Sequence, residues 1–160
     1  MLTILEQLFS IERTPLLTST ISTFMANHHK ECDEQFAKAE ESVANGDWEQ
    51  GVELWNEFAS ELEKHFSREE AILFPEFETV TGMTGGPTQM MRMEHEQMRA
   101  LVNEVNKAAV SKDKDQFLAL TETLMVTMQQ HNMKEEQILY PMTDQSIPDA
   151  VEIIERMREQ

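Results

Sequence analysis

Glycine and proline are scarce in this chain of 160 residues, which contains five of each. These two residues interrupt regular structure more than any others, so their scarcity predicts long elements with few connections. Cys32 is the only cysteine, which excludes a disulfide within the chain. Uninterrupted apolar runs are also missing, because none approaches the roughly 18 residues that a membrane-spanning helix requires. We therefore expect no membrane segment.

Positive charge is scarce as well. The chain has 13 Lys and Arg residues against 30 Asp and Glu residues, which gives a net charge of −17 at pH 7. Nucleic acids and anionic membranes would repel such an acidic chain, and we expect neither as a partner. The first residues show no basic leader and no small-residue cleavage site. Together with the single cysteine, this favours a cytoplasmic location.

Apolar residues recur at helical spacing along four long segments, and no segment alternates with the period of a strand. These predicted helices span about 15–44, 48–74, 88–110 and 114–140. Long helices with short connections are typical of an antiparallel up-down four-helix bundle, so the predicted fold is all-α. We expect one domain over 1–160 with its bundle core at about 15–141. Short N- and C-terminal extensions flank it, the second as an amphipathic helix at about 148–159.

The chain contains nearly the same eleven residues twice, as HFSREEAILFP at 65–75 and HNMKEEQILYP at 131–141. The same offset of 66 residues pairs His29 with His95, His65 with His131, Glu69 with Glu135 and Glu70 with Glu136. Four of the five histidines therefore share one register. The repetition predicts that the second helical hairpin is a copy of the first, so that a duplicated hairpin builds the bundle.

The four repeated histidines are predicted to lie in one layer. In an antiparallel hairpin, two residues equidistant from the turn are level, and the midpoints of successive histidine pairs fall in the three predicted connections. Glu69 and Glu135 follow His65 and His131 by four residues, which places them one turn along the same face. All six residues share the apolar seams of their helices, so we expect their side chains to point inward.

Four imidazoles and two carboxylates in an apolar core would be costly without partners. A single His-x-x-x-Glu pair is usually an exposed contact on a helix, but here the pair occurs twice, beside two further histidines. Two divalent or trivalent metal ions would compensate the buried groups, with each carboxylate bridging both ions and two histidines left for each ion. Imidazole and carboxylate ligands suit iron, manganese or zinc, and the spacing does not choose among them.

The six positions resemble the twin pattern of His followed by His-x-x-x-Glu in hemerythrin-like domains, also called HHE cation-binding domains. The resemblance covers about 15–141. It implies a four-helix bundle that holds two iron ions in a non-haem di-iron centre with an oxo or hydroxo bridge. The implied ligands are His29, His65, His95 and His131, with Glu69 and Glu135 as bridging carboxylates.

The chain departs from the oxygen-carrying hemerythrins of marine invertebrates at two positions. Those proteins carry a further histidine one turn after the third-helix histidine, where this chain has Arg99. They also carry an aspartate five residues after the last histidine, where this chain has Glu136. With one histidine fewer, more positions on the ions would be open or filled by water. The resemblance therefore favours the bacterial HHE group, which is linked to oxygen or nitric oxide sensing, peroxide chemistry, iron sensing and iron–sulfur cluster repair.

The leading hypothesis is a cytoplasmic di-iron protein that binds dioxygen, nitric oxide or peroxide for sensing, binding or detoxification. One alternative is a redox enzyme or iron donor in nitrosative or oxidative stress and iron–sulfur cluster repair, which requires an electron donor that the sequence does not identify. Another alternative is a helical interaction module with a structural metal site. The terminal segments either pack across the bundle or form a homodimer, and the sequence leaves both open.

Further residues lie close to the predicted ligands. Glu94 is a candidate to hydrogen-bond within the site, and Cys32 is a candidate neighbour of the metal layer. His28 has no histidine counterpart in the repeat, and we expect it to be half-exposed at the edge of its seam. Tyr140 lies nine residues beyond the last ligand histidine, too far along a straight helix for metal ligation, so we expect it to cap the core.

Overall fold

The computed structural model describes residues 19–160 of the chain. Every regular element in this part is helical, so the prediction of an all-α chain is confirmed there. The elements are, in chain order, α1 (Ile21–Ala44), α2 (Trp48–Arg68), π1 (Glu69–Leu73), α3 (Phe74–Thr81), α4 (Pro87–Ser111), α5 (Lys114–Lys134), π2 (Glu135–Leu139), α6 (Tyr140–Ser146) and α7 (Ala150–Arg158). The predicted N-terminal extension lies outside the described residues.

Side-chain caps fix where three of the long helices begin. The Thr20 hydroxyl accepts a hydrogen bond of 3.0 Å from the backbone N–H of Thr23 at the start of α1. Asp47 and Asp113 cap α2 and α5 in the same way, each accepting from the N–H three residues later. The prediction began the first helix at residue 15. Its first four residues lie outside the described part, and the cap places the start at Ile21.

The long helices pack as two hairpins. Helix α1 packs against α2 and α4 against α5, with further contacts between α1 and α5 and between α2 and α4. Helices α1 and α2 run in opposite directions, because Gly51 adjoins Val43 near their connection while His65 adjoins His29 farther along. This order makes residues equidistant from the turn level with each other.

Two apolar clusters fill the interior, and a polar layer lies between them along the helices. The first cluster includes Phe36, Trp55, Phe58 and Phe117. The second includes Met25, Phe77, Tyr140 and Met157. The buried histidines and glutamates between the clusters are His28, His29, His65, Glu69, His95, His131 and Glu135. The fold thus surrounds its titratable side chains with apolar packing on two sides.

The second helix of each hairpin continues past its proline, so the predicted ends before Pro75 and Pro141 are wrong. The chain remains helical through α3 and α6. A proline has no N–H to donate, and its ring crowds the carbonyl four residues earlier. A π-helical turn, whose N–H groups bond five residues back, widens the helix just before each proline and relieves this crowding.

Helix α7 packs against the end of the bundle that holds the second cluster. It buries Ile153, Ile154 and Met157, and the Met157 carbonyl accepts a hydrogen bond of 3.0 Å from Arg68. The amphipathic helix predicted at about 148–159 is therefore present, at Ala150–Arg158. None of the helices in residues 19–160 combines the length and apolar character that crossing a membrane requires.

The close approach of α1 and α2 depends on Gly51, and this gives a stability test. A Cβ atom at Gly51 would lie 2.5 Å from Val43 Cγ2 and 3.1 Å from the Val43 nitrogen. We expect Gly51→Ala to lower the free energy of unfolding by about 1–3 kcal/mol, although Ala normally gains about 1 kcal/mol over Gly in a helix. Denaturant unfolding measures the change. Gly85→Ala, where no atom lies closer than 4.0 Å, is the control, and equal or greater stability of Gly51→Ala would contradict the packing argument.

Candidate metal centre

Each long helix contributes one buried histidine to a single layer. His29 comes from α1, His65 from α2, His95 from α4 and His131 from α5. The Nε2 atoms of His29 and His65 lie 2.9 Å apart, and those of His95 and His131 lie 3.2 Å apart. The four imidazoles therefore form two pairs, one from each hairpin.

Two fully buried carboxylates lie between the histidine pairs. Glu135 opens π2, and its two oxygens lie 3.3 Å from His29 Nε2 and 3.1 Å from His131 Nε2. Glu69 opens π1, and its Oε2 lies 3.2 Å from His95 Nε2 and 3.6 Å from His65 Nε2. Each carboxylate thus reaches both pairs, so all six predicted residues come together in the structure.

The outward Nδ1 atom of every histidine in the layer meets a polar partner. The pairs are His29 with Glu136 at 2.7 Å, His95 with Glu70 at 2.7 Å, His131 with Glu94 at 2.9 Å, and His65 with His28 at 2.9 Å. An Nδ1–H that donates to a carboxylate leaves the Nε2 lone pair free to face the interior. Three outer carboxylates and one imidazole therefore orient the layer.

His28 differs from the prediction, because it is buried rather than half-exposed. Its side chain stacks on His65 with an angle of 4° between the ring planes, and 7% of the residue is exposed. Burial is the largest cause that lowers the pKa of His28, and the charge of Arg68 adds to it. The repeat contained a signal for this role, since its counterpart at the same offset is Glu94, the partner of His131.

Tyr140 lies within the polar layer, so the expectation that it only caps the core is wrong. Its hydroxyl lies 2.7 Å from Glu69 Oε1 and 2.9 Å from Glu135 Oε2. It also lies 3.2 Å from Nε2 of His29 and 3.3 Å from Nε2 of His65. Burial and the two carboxylates raise the pKa of the phenol well above its usual value, so the hydroxyl stays a donor.

The π turn explains how Tyr140 reaches the layer. The N–H of Tyr140 donates to the Glu135 carbonyl, five residues back, so the two side chains lie one turn apart on one face. A uniform helix of 3.6 residues per turn would rotate Tyr140 away from that face. Phe74 takes the equivalent place after π1, and its ring stacks beside His95 at 5.9 Å between centroids. The repeat is therefore unequal, with a hydroxyl in one half only.

Hydrogen bonds and burial act in opposite directions on the charges of the layer. Burial lowers the pKa of His95, but Glu69 and Glu70 outweigh it and raise the pKa to about 9. Burial dominates at His65 and holds its pKa well below the usual value. Burial and the neighbouring Glu135 raise the pKa of Glu69, whereas the adjacent imidazoles of His131 and His29 outweigh burial and lower the pKa of Glu135. Binding of a cation would have to displace the protons held by such ligands.

The remaining predicted neighbours lie in different surroundings. Glu94 bonds His131 and also pairs with Lys134. Cys32 lies in the first apolar cluster, and the structure gives it no hydrogen bond among the described residues. Burial raises the pKa of its thiol to about 12. Cys32 therefore packs as a small apolar side chain.

The layer has the properties of a cation site. Two buried oxygens, Glu69 Oε2 and Glu135 Oε1, have no hydrogen-bond partner among residues 19–160. Glu69 and Glu135 form a group with His95 and His131 in which one ligand atom of each residue lies within 4.8 Å of the others, and Glu135 forms a second such group with His29 and His65. Unsatisfied buried carboxylate oxygens are costly, and a cation held also by imidazole nitrogens would satisfy them. The donor set therefore fits a metal.

A helical structure over residues 19–160 with this buried set of imidazoles and carboxylates defines a metal-binding class of protein. The comparison with protein families agrees, because the model of the hemerythrin HHE cation-binding domain matches residues 20–143. The chain belongs to this family, as the resemblance predicted. No curated protein and no solved structure matches the chain.

The burial of Cys32 predicts slow chemistry at its thiol. Thiolate is the reactive form, and raising the pKa from 9.0 to about 12 reduces its fraction about a thousandfold at pH 8. We expect iodoacetamide to alkylate the folded protein at least that much more slowly than the protein in denaturant. Since Cys32 is the only cysteine, mass spectrometry reads its modification directly. Comparable rates in both states would show that the thiol is accessible.

Proposed function

We propose that this chain is a non-haem di-iron protein that binds dioxygen, nitric oxide or peroxide, on an antiparallel up-down four-helix bundle made from a duplicated hairpin. The observation that supports it most is the convergence of four buried imidazole Nε2 atoms on two carboxylates, of which two oxygens have no partner among the described residues. The family, which binds cations, supports it as well.

In this proposal the two histidine pairs hold two ions. His29 and His65 bind one ion, and His95 and His131 bind the other. Glu69 and Glu135 contribute to both, in keeping with their distances to both pairs. When bound, iron would supply the redox and ligand-binding chemistry, as cofactors generally do.

The protein's own part is to orient and to exclude water. Glu136, Glu70 and Glu94 hold the imidazoles through Nδ1, which fixes the direction of Nε2. Phe66 stacks on His95 with 4.0 Å between ring centroids and closes that side with an apolar wall. The Tyr140 hydroxyl has one hydrogen, which it donates to Glu69 Oε1 or to Glu135 Oε2, so it holds a proton between the two carboxylates.

Arg99 supports a role other than simple oxygen carriage. It stands where the resemblance predicts a further histidine in oxygen carriers, and its guanidinium is engaged by Glu63 and Glu70. Two histidines for each ion would leave open positions, and a small ligand would bind there. A cytoplasmic location, a homodimer and an electron donor for turnover remain predictions.

Metal content together with an optical spectrum tests the proposal. The purified protein is loaded with ferrous iron without oxygen, desalted and then exposed to air. We expect about two irons per chain, as two histidine pairs imply, and bands of an oxo-bridged ferric pair that disappear on reduction. No iron after loading, or bound iron without the bands of an oxo-bridged ferric pair, would reject the di-iron proposal. Manganese and zinc loadings of the same protein are the comparison.

Adjacent histidines provide a matched test of the ligand assignment. We expect His29→Ala to lose about one of the two ions, because it removes an inward Nε2 donor. His28→Ala removes only the partner of His65 Nδ1, so both ions should remain, with about 10- to 100-fold weaker affinity. Metal analysis at saturating iron measures how many ions each variant binds per chain. Loss of the same number of ions from both variants would contradict the assignment.

Tyr140→Phe tests the role of the hydroxyl, with Phe74 showing that the repeat accommodates a phenyl ring at this place. Without metal, the variant removes the hydroxyl hydrogen that Glu69 Oε1 and Glu135 Oε2 share, and we expect a loss of about 1–3 kcal/mol in the free energy of unfolding. With two ions bound the loss should be smaller, because the ions would neutralise the charge of the same two carboxylates. Denaturant unfolding with and without metal measures both values, and an equal loss in both states would contradict this role.

A further inference from the structure

We propose that the metal position of His29 and His65 exchanges its ion with solvent, while the position of His95 and His131 retains its ion. This inference rests on the di-metal centre proposed above. It follows from a difference between the two halves of the repeat. Different side chains lie between solvent and His29 in one half, and between solvent and His95 in the other; these two residues are called the outer histidines.

The half around His95 is closed. Phe66 stacks on the imidazole with 4.0 Å between centroids and 20° between the planes, and the residue is 1% exposed. Arg99 lies 5.2 Å above the Phe66 ring. Its guanidinium also bonds both oxygens of Glu70, at 3.0 Å each, and both oxygens of Glu63. The partner of His95 Nδ1 is thus held in place by a cation.

The half around His29 lacks both the aromatic ring that corresponds to Phe66 and the guanidinium that corresponds to Arg99. At the offset of 66 residues, Asn132 replaces Phe66, Asp33 replaces Arg99 and Gln129 replaces Glu63. Asp33 accepts from Gln129 at 3.0 Å and does not hold Glu136. Within the described part of the chain, the only ion pair of Glu136 is with His29, and 43% of its side chain is exposed, against 28% for Glu70.

A surface depression of about 260 Å³ reaches His29 itself. Its lining includes Lys30, Asp33, Asn132 and Glu136. The depression nearest the other half, about 230 Å³, is lined by Phe66 and Arg99 and does not include His95. Solvent therefore lies against one outer histidine and is separated from the other by an aromatic ring and a guanidinium.

These contacts predict different rates of ligand movement. For an ion to leave, a histidine must turn away from it. His29 can turn into the depression after breaking its hydrogen bond to Glu136 and moving off the Tyr140 ring, whose centroid lies 5.7 Å away. His95 must separate from Phe66 and from a Glu70 carboxylate that Arg99 holds. The Tyr140 hydroxyl lies near His29 and His65 and would raise the equilibrium affinity of their position for an ion. The proposal therefore concerns the rate of ion exchange and not the affinity.

Iron release to a coloured ferrous chelator tests this inference. The protein is loaded with ferrous iron without oxygen, its iron content is measured, and excess chelator is added. We expect two phases of similar amplitude. Two variants exchange the features of the halves. The triple variant Asp33→Arg, Gln129→Glu and Asn132→Phe gives the His29 half the side chains of the His95 half and should slow the fast phase about tenfold. The single variant Arg99→Gln removes the arginine from the His95 half and should speed the slow phase about tenfold.

The starting iron content separates this inference from the proposed function. Fewer than two irons per chain would reject the di-metal centre and the inference with it. Two irons released in one phase, or a fast phase that responds to Arg99→Gln instead of the triple variant, would overturn the inference and leave the di-metal centre intact. Arg99→Gln is a single change at a side chain that is 25% exposed and lies outside the two apolar clusters, so it decides the question even where the triple variant fails to fold.

Discussion

The cost of removing six titratable side chains from water constrains the whole structure. Each buried imidazole has two nitrogens to satisfy, and the structure satisfies the outward one with a carboxylate or with His28. The inward nitrogens can be satisfied by one another, by Glu69 and Glu135, by the Tyr140 hydroxyl, or by a cation. This requires four helices in a fixed vertical register, which the caps at Thr20, Asp47 and Asp113 help to set. Apolar clusters above and below then exclude the water that would otherwise solvate the layer.

The all-helical fold and the meeting of the six polar residues could be predicted from the sequence for a physical reason. Helical periodicity determines which side chains share a face, and His65 with Glu69 satisfies it within one turn. Equal distances from a turn determine which residues of an antiparallel hairpin are level, so His29 could be matched to His65 from counting alone. Both rules depend only on positions along one helix or one hairpin, and the repeat allows them to be used once for each hairpin.

The positions of Tyr140 and His28 were predicted wrongly, because they depend on features that residue spacing along the chain does not contain. Tyr140 reaches the layer because a π turn adds a residue to one turn of the helix, and a uniform period of 3.6 cannot express that. Pro141, which follows the π turn, predicts an end of the helix from the sequence, whereas the chain stays helical through it. His28 was placed by angle alone, whereas its burial depends on the neighbouring helix and on the ring of His65. Tertiary contacts therefore decided both positions.

One hairpin of this chain holds two histidines and one inward glutamate, which is half of the donor set. Two separate copies related by a two-fold axis would assemble a complete set with the axis passing between the two glutamates. In such a pair every residue near the axis occurs twice. A phenol beside one histidine pair would therefore be matched by a second phenol beside the other pair. Joining the copies into one polypeptide removes that restriction. Phe74 and Tyr140, or Glu94 and His28, can then differ, and covalent linkage is what allows one centre to have two chemically distinct ends.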